Sequence, residues 1–120
     1  MKKTLLLLLI GFTLTALGQK KPLIDNYDKV VTQAKLEIEQ SMKNPEGSLY
    51  LFIREHEISG TYDFDITLHE KGKVATVYVK GNEGGTIKKQ NLLKDFVKEM
   101  QFNFKMPKGK DYKFNYIFKF

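Results

Sequence analysis

The chain has no cysteine and no tryptophan, and only three prolines and two histidines among 120 residues. Without cysteine there is no disulfide staple, no thiolate metal site and no cysteine to carry a lipid. With proline only at 22, 45 and 107 there is no proline-rich spacer, and no internal repeat or low-complexity tract occurs. Catalytic chemistry is equally sparse. Serine occurs only at 41, 48 and 59, and no serine is framed by the glycines of a nucleophile elbow. His56 stands between Glu55 and Glu57, and His69 precedes Glu70. Two such segments fall short of the three or four ligands at fixed spacing that a firm metal site requires. Asp63 and Asp65 share a strand face, the right geometry for paired carboxylates, but half-exposed strands carry such groups for solubility. The expectation is a protein that is not an enzyme, with no catalytic residue, no metal and no cofactor.

What the chain does have begins at its amino terminus. Met1-Lys2-Lys3 is a short positive start, Leu5 to Ile10 is an unbroken apolar run, and Ala16-Leu17-Gly18 supplies small residues before Gln19. This is the three-part layout of a secretory signal with cleavage between Gly18 and Gln19. The run is shorter than the ~20 apolar residues of a spanning helix. The expected processed chain therefore has no transmembrane segment and works in the periplasm or outside the cell. The expected division is 1–18 signal peptide, 19–24 polar lead, 25–120 a single domain. A domain of this size with six tyrosines and nine phenylalanines can build one core.

Along that domain Asp25 is a candidate helix cap. Tyr27, Val30, Val31, Ala34, Ile38 and Met42 recur at helical spacing, and Pro45 and Gly47 end the helix. Ser48 to Ile53 reads as a short buried strand or loop. Tyr62, Phe64, Ile66 and Leu68 alternate with Thr61, Asp63, Asp65 and Thr67, which predicts a half-buried strand. Glu70 to Lys73 is a hairpin connection. Val74, Val77 and Val79 form the return strand, and their phase change predicts a bulge near Ala75-Thr76. Gly81 to Gly85 reads as a flexible exit loop. Leu92, Leu93, Phe96, Val97 and Met100 mark a second helix from about Ile87 to Gln101. The last segment alternates Tyr112, Phe114, Tyr116, Phe118 and Phe120 with Lys113, Asn115, Ile117 and Lys119. The class is α+β: a small antiparallel sheet of three to four strands packed against two helices.

From Ile58 onward these features resemble the TonB carboxy-terminal domain family. The resemblance is carried by Ile58-Ser59-Gly60-Thr61 and the alternating strand after it, then by Gly72-Lys73-Val74 with Val77 and Val79. A Gly-containing loop, the Leu92-Leu93 helix, Phe104 with Pro107, and a last strand ending in Phe120 complete it. It covers residues 58 to 120. The family's usual Trp is absent, Ser48 to Ile53 is inserted relative to the family, and there is no anchor with a Pro-rich spacer. The resemblance implies the fold, and it implies that the last strand accepts a peptide.

Charge divides the chain. Residues 19 to 70 carry six basic and ten acidic groups, residues 71 to 120 twelve and four. Lysines among eight aromatics from Phe96 to Phe120 could serve a nucleic-acid platform, but export and the period-two core face argue against it, so no nucleic acid is expected. The sharper expectation is strand addition. If Tyr112 to Phe120 lies at a sheet edge, its backbone can pair with an extended segment of an envelope or outer-membrane protein, with Lys113, Asn115, Ile117 and Lys119 lining the outward face. The same strand could pair with its own copy in a homodimer. The alternative function is a small secreted ligand-binding or inhibitor-like domain that uses a helix–sheet pocket or the Gly81–Gly85 loop.

Overall fold

The computed structural model describes residues 21–43 and 45–120; the expected signal segment and its cleavage point at Gly18 and Gln19 lie outside these. The elements run α1 (Tyr27–Ser41), α2 (Ser48–Glu55), β1 (Thr61–His69), a single 3-10 turn (Glu70–Gly72), β2 (Lys73–Glu83), α3 (Ile87–Lys98) and β3 (Tyr112–Lys119). The three strands form one antiparallel sheet in the order β2-β1-β3. The fold is α+β as expected, with three helices rather than two.

One face of the sheet holds the core. Tyr62, Phe64, Ile66 and Leu68 of β1 are fully buried, flanked by Val77 of β2 and by Tyr112, Phe114 and Phe118 of β3. Against them α1 lays Val30, Ala34 and Ile38, four residues apart on one stripe. Further cover comes from Leu49 of α2, Leu93 and Val97 of α3, and Phe102, Phe104 and Met106 of the segment before β3. Each such side chain contributes about 1.5–3 kcal/mol by leaving water, and no buried side-chain polar atom among the described residues lacks a partner. Among the described residues no helix covers the other face of the sheet. It presents Asp63, Asp65, Thr67, Thr76, Tyr78, Lys113, Asn115, Ile117 and Lys119, and both Tyr78 and Ile117 remain substantially exposed.

The structure corrects several local expectations. The cap of α1 is Asn26, whose Oδ1 accepts from the Lys29 amide at 3.1 Å, not Asp25. Ser48 to Ile53 is helical. The run of five apolar or aromatic residues after Ser48 cannot be assigned by alternation alone, and extending it to His56 reveals the deciding spacing. Leu49, Phe52, Ile53 and His56 stand at i, i+3, i+4 and i+7; Leu49 is buried in the core, and Phe52 packs tilted against Phe96 at 4.7 Å and, at the helix's own end, against His56 at 4.3 Å. Eight residues make a marginal helix alone, so these tertiary contacts hold it. Gly47 permits the tight turn before it, because a Cβ there would lie 2.2 Å from the Ser41 carbonyl oxygen. Gly81 to Glu83, expected in a loop, continue β2 and pair with Asp63, Tyr62 and Thr61. Helix α3 ends at Lys98, short of Gln101. The bulge expected near Ala75 is there: Thr76 pairs with Thr67 and Val74 with Leu68, leaving Ala75 over. A second one leaves Lys80 over between Val79 and Gly81.

The hairpin turn ties the segment between α3 and β3 to the sheet. Lys71 and Gly72 both adopt positive φ, 69° and 74°. The Phe102 amide donates to the Gly72 carbonyl at 2.9 Å, and Gln101 bridges to Lys73. A Cβ on Gly72 would lie 2.4 Å from the Phe104 carbonyl oxygen and 2.7 Å from that of Phe102. Gly72→Ala is therefore expected to lower stability by about 2–3 kcal/mol in urea denaturation. Gly109→Ala, at φ 78° with nothing within 4 Å of the added atom, should cost only about 1 kcal/mol. Equal losses at the two sites would show that the close backbone approach at Gly72 is without effect.

Candidate functional site: the outer rim of the last strand

Strand order leaves β2 and β3 each with one unpaired edge, and the two edges differ. Residues Leu68 to Thr61 of β1 pair one for one with Tyr112 to Lys119 of β3, with no register break. Beyond this ladder Phe120 and Gly60 exchange both backbone hydrogen bonds, at 3.0 and 3.3 Å. In an antiparallel ladder bonded and non-bonded pairs alternate. Counting back from Phe120, residues 118, 116, 114 and 112 turn their backbone toward β1, whereas Lys113, Asn115, Ile117 and Lys119 turn theirs outward. Tyr27 agrees with this count, since its hydroxyl donates to the Lys113 carbonyl at 2.5 Å from the outer side. No other hydrogen bond among the described residues reaches the outward backbone of Asn115, Ile117 or Lys119. The β2 edge is broken by the bulges at Ala75 and Lys80, and its start is covered by the Lys73–Gln101 bridge. Bulges and covering segments are the usual protection of a sheet edge; β3 has only the Tyr27 cover at one end.

The side chains of the same four residues lie on the bare face. Asn115 Nδ2 donates to Asp65 Oδ1 at 3.0 Å, to Asp63 Oδ1, and to the Phe64 carbonyl at 3.2 Å. Lys113 Nζ stands 3.9 Å from Asp65 Oδ2. The two aspartates are thus bridged by one amide and flanked by one cation, which locks β3 to β1 across their shared face. Ile117 and Lys119 make no side-chain hydrogen bond or ion pair among the described residues. The residues singled out from sequence are brought together on one rim. Sequence reasoning missed Tyr27 as a rim residue by assigning it wholly to the core stripe. Its ring is half exposed and stacks on Tyr112 at 6.3 Å. Its place at the very start of the α1 stripe, beyond the buried positions, was the available signal.

The remaining candidates are scattered. His56 ends α2 and lies 3.7 Å from Glu55, while His69 ends β1 with Nδ1 2.6 Å from Asp111 Oδ1. Among the described residues no group of three or more His, Asp or Glu side chains is placed to hold a metal ion. The space between α1 and the sheet is filled by Val30, Ala34, Ile38, Phe64 and Phe118, all fully buried. A hollow of about 350 Å³ with mixed polar and apolar walls lies instead among the helices, lined by Glu37, Gln40, Phe96, Glu99, Met100 and Phe102 among others. Among the described residues no helix is long and apolar enough to cross a membrane.

Two tyrosines beside the rim link stability to pH. Burial pushes the Tyr62 hydroxyl above its ordinary value, and its proton is committed to the Ser59 carbonyl at 2.6 Å. Burial, and secondarily the Glu39 carboxylate, pushes Tyr116 the same way. In the unfolded chain both ionise near pH ~10. The stabilisation from keeping them neutral is therefore complete below that pH and is lost as pH rises through the higher folded values. The urea midpoint should stay level from about pH 7 to 9 and fall above about pH 10, and the Tyr62→Phe/Tyr116→Phe double variant should fall less steeply. An unchanged slope in the double variant would count against these two groups as the cause.

Comparison with known proteins finds no matching family model, no similar curated protein and no similar solved structure.

Proposed function

We propose that this protein is an exported envelope interaction module that captures an extended segment of a partner protein by adding it as a fourth strand to the free edge of β3. The observation that carries this is the asymmetry between the edges: β2 is bulged twice and partly covered, whereas β3 runs unbroken with three consecutive outward residues unpartnered. An apolar strand with only Lys113 and Lys119 as charges, left bare, is a template for any extended chain. A partner that covers it accounts for its persistence. The resemblance of residues 58 to 120 to the TonB carboxy-terminal family points to the same strand as the acceptor. The signal-like sequence of the amino terminus supports a partner in the periplasm or beyond it. Coupling to the proton gradient forms no part of this reading.

Magnitudes set the character of the binding. Asn115, Ile117 and Lys119 offer one N–H and one C=O each, so about six hydrogen bonds at about 1 kcal/mol apiece. Association costs about 4–15 kcal/mol in lost freedom. Backbone pairing alone therefore gives weak capture, and affinity and selectivity must come from side chains beside the rim.

Asn115→Pro removes an outward N–H and cannot regain it. With the chain as bait for an envelope fraction, Asn115→Pro should lose the captured protein while its circular dichroism stays that of the wild type. Asn115→Ala keeps the backbone donor and should retain most of the capture, at a stability cost of about 1–2 kcal/mol for the lost amide network. Capture by the proline variant equal to that of the wild type would remove this reading.

A further inference from the structure

At the carboxy-terminal end of the free edge lies a pocket of about 280 Å³. It is walled by Met42 just after α1, Tyr50 and Ile53 of α2, and Lys119 and Phe120 at the end of β3. Neighbours in an extended chain send their side chains to opposite faces of a sheet. The cavity that Lys119 and Phe120 line lies at the end of β3 on the helix side, where Met42, Tyr50 and Ile53 form its other walls. No residue of β1 or β2 lines it, which puts it on the side where a strand would be added. Met42, Tyr50 and Ile53 are half-buried and Phe120 is 38% exposed, so the walls are apolar and within reach. The surroundings are cationic. Lys119 makes no ion pair among the described residues, and the Arg54 guanidinium lies over the Tyr50 ring at 5.9 Å and donates to its hydroxyl.

We infer that the strand added to β3 carries a carboxylate side chain opposite Lys119 and, directly beside it in sequence, one aromatic or large aliphatic side chain that fills the Met42–Tyr50–Ile53–Phe120 pocket. The inference rests on the strand-addition reading and specifies its ligand as an acidic–apolar peptide. The register follows from sheet geometry. A residue paired across from Lys119 directs its side chain to the open face, where the ammonium stands, and the next residue directs its own to the helix face, where the pocket lies. The volume suits a single large side chain and falls below the ~300 Å³ at which whole small-molecule sites begin. Tyr50 and Ile53 belong to the helix that is inserted relative to the TonB-like pattern, so the pocket is a feature of this chain and not a consequence of that resemblance.

The test uses labelled peptides of alternating Thr and Val, about nine residues long, with a central Asp-Phe, Phe-Asp, Lys-Phe or Asp-Ala pair. Fluorescence anisotropy reads their binding to the wild type, Lys119→Glu and Asn115→Pro. The better of the two Asp/Phe orders should bind the wild type about tenfold more tightly than Lys-Phe or Asp-Ala, a typical effect of one charge pair or one anchor. Lys119→Glu, on an exposed side chain, should reverse the preference in favour of Lys-Phe. Equal affinities across the panel, lost in Asn115→Pro, would overturn the acidic–apolar assignment and leave strand addition standing. So would a preference that Lys119→Glu leaves unchanged. No binding by any peptide, or binding that survives Asn115→Pro, would overturn both.

Discussion

The structure depends on β1. Its inward side chains, Tyr62, Phe64, Ile66 and Leu68, lie fully buried in the core, and among the described residues it is the one strand paired on both sides. A three-stranded sheet with helices on one side has a fixed geometrical consequence: one face is bare and two edges are open. The bare face is kept wet by Asp63 and Asp65, tied to Asn115 and Lys113. The β2 edge is bent out of use by the bulges at Ala75 and Lys80. The β3 edge is the one left regular, whereas the two histidines lie apart at the ends of α2 and β1.

The helices are recruited by contacts of very different strength. Helix α1 has a buried seam over its full length and a side-chain cap. Helix α2 has one buried residue and no cap hydrogen bond from a side chain; it stays because Leu49 enters the core, Phe52 packs against Phe96 of α3, and the Lys89 ammonium donates to the His56 carbonyl at its end. Helix α3 is capped by Thr86 and linked to β2 by the Asn82–Gln90 hydrogen bond. Through Tyr50 and Ile53, α2 also walls the end of β3 beside Lys119 and Phe120.

Period-two alternation made β1 and β3 readable almost to the residue, because each has one wet and one dry face. The bulge at Ala75 was readable for the same reason: a change of phase in a two-sided strand means an extra residue. The bulge at Lys80 was not, since Gly81 interrupts the pattern and reads as a loop when only the pairing with Asp63 keeps it in the sheet. Ser48 to Ile53 reads ambiguously because the unbroken apolar run Leu49 to Ile53 has no phase, and the helical spacing emerges only once His56 is counted. The core role of Phe102, Phe104 and Met106 went largely unread, since these residues are held through the hairpin turn at Gly72 and not in any strand. The rim residues were legible as a face. That their amides also point outward depends on which pairs are bonded, and alternation cannot say that; the Gly60–Phe120 exchange decides it.

The unequal treatment of the two borders has a consequence for assembly. A sheet with two sticky borders can add copies without limit and grow into a filament, whereas a sheet with one is monovalent. Were two copies of this chain to anneal through their last strands, each would consume the other's sole receptive border. Growth would stop at a symmetric pair whose outer margins are the crimped second strands. Light scattering on concentrated protein would then plateau at twice the monomer mass, and a continued climb would mean that the crimps do not terminate it. In such a pair the kinks at Ala75 and Lys80 would act as chain terminators for polymerisation.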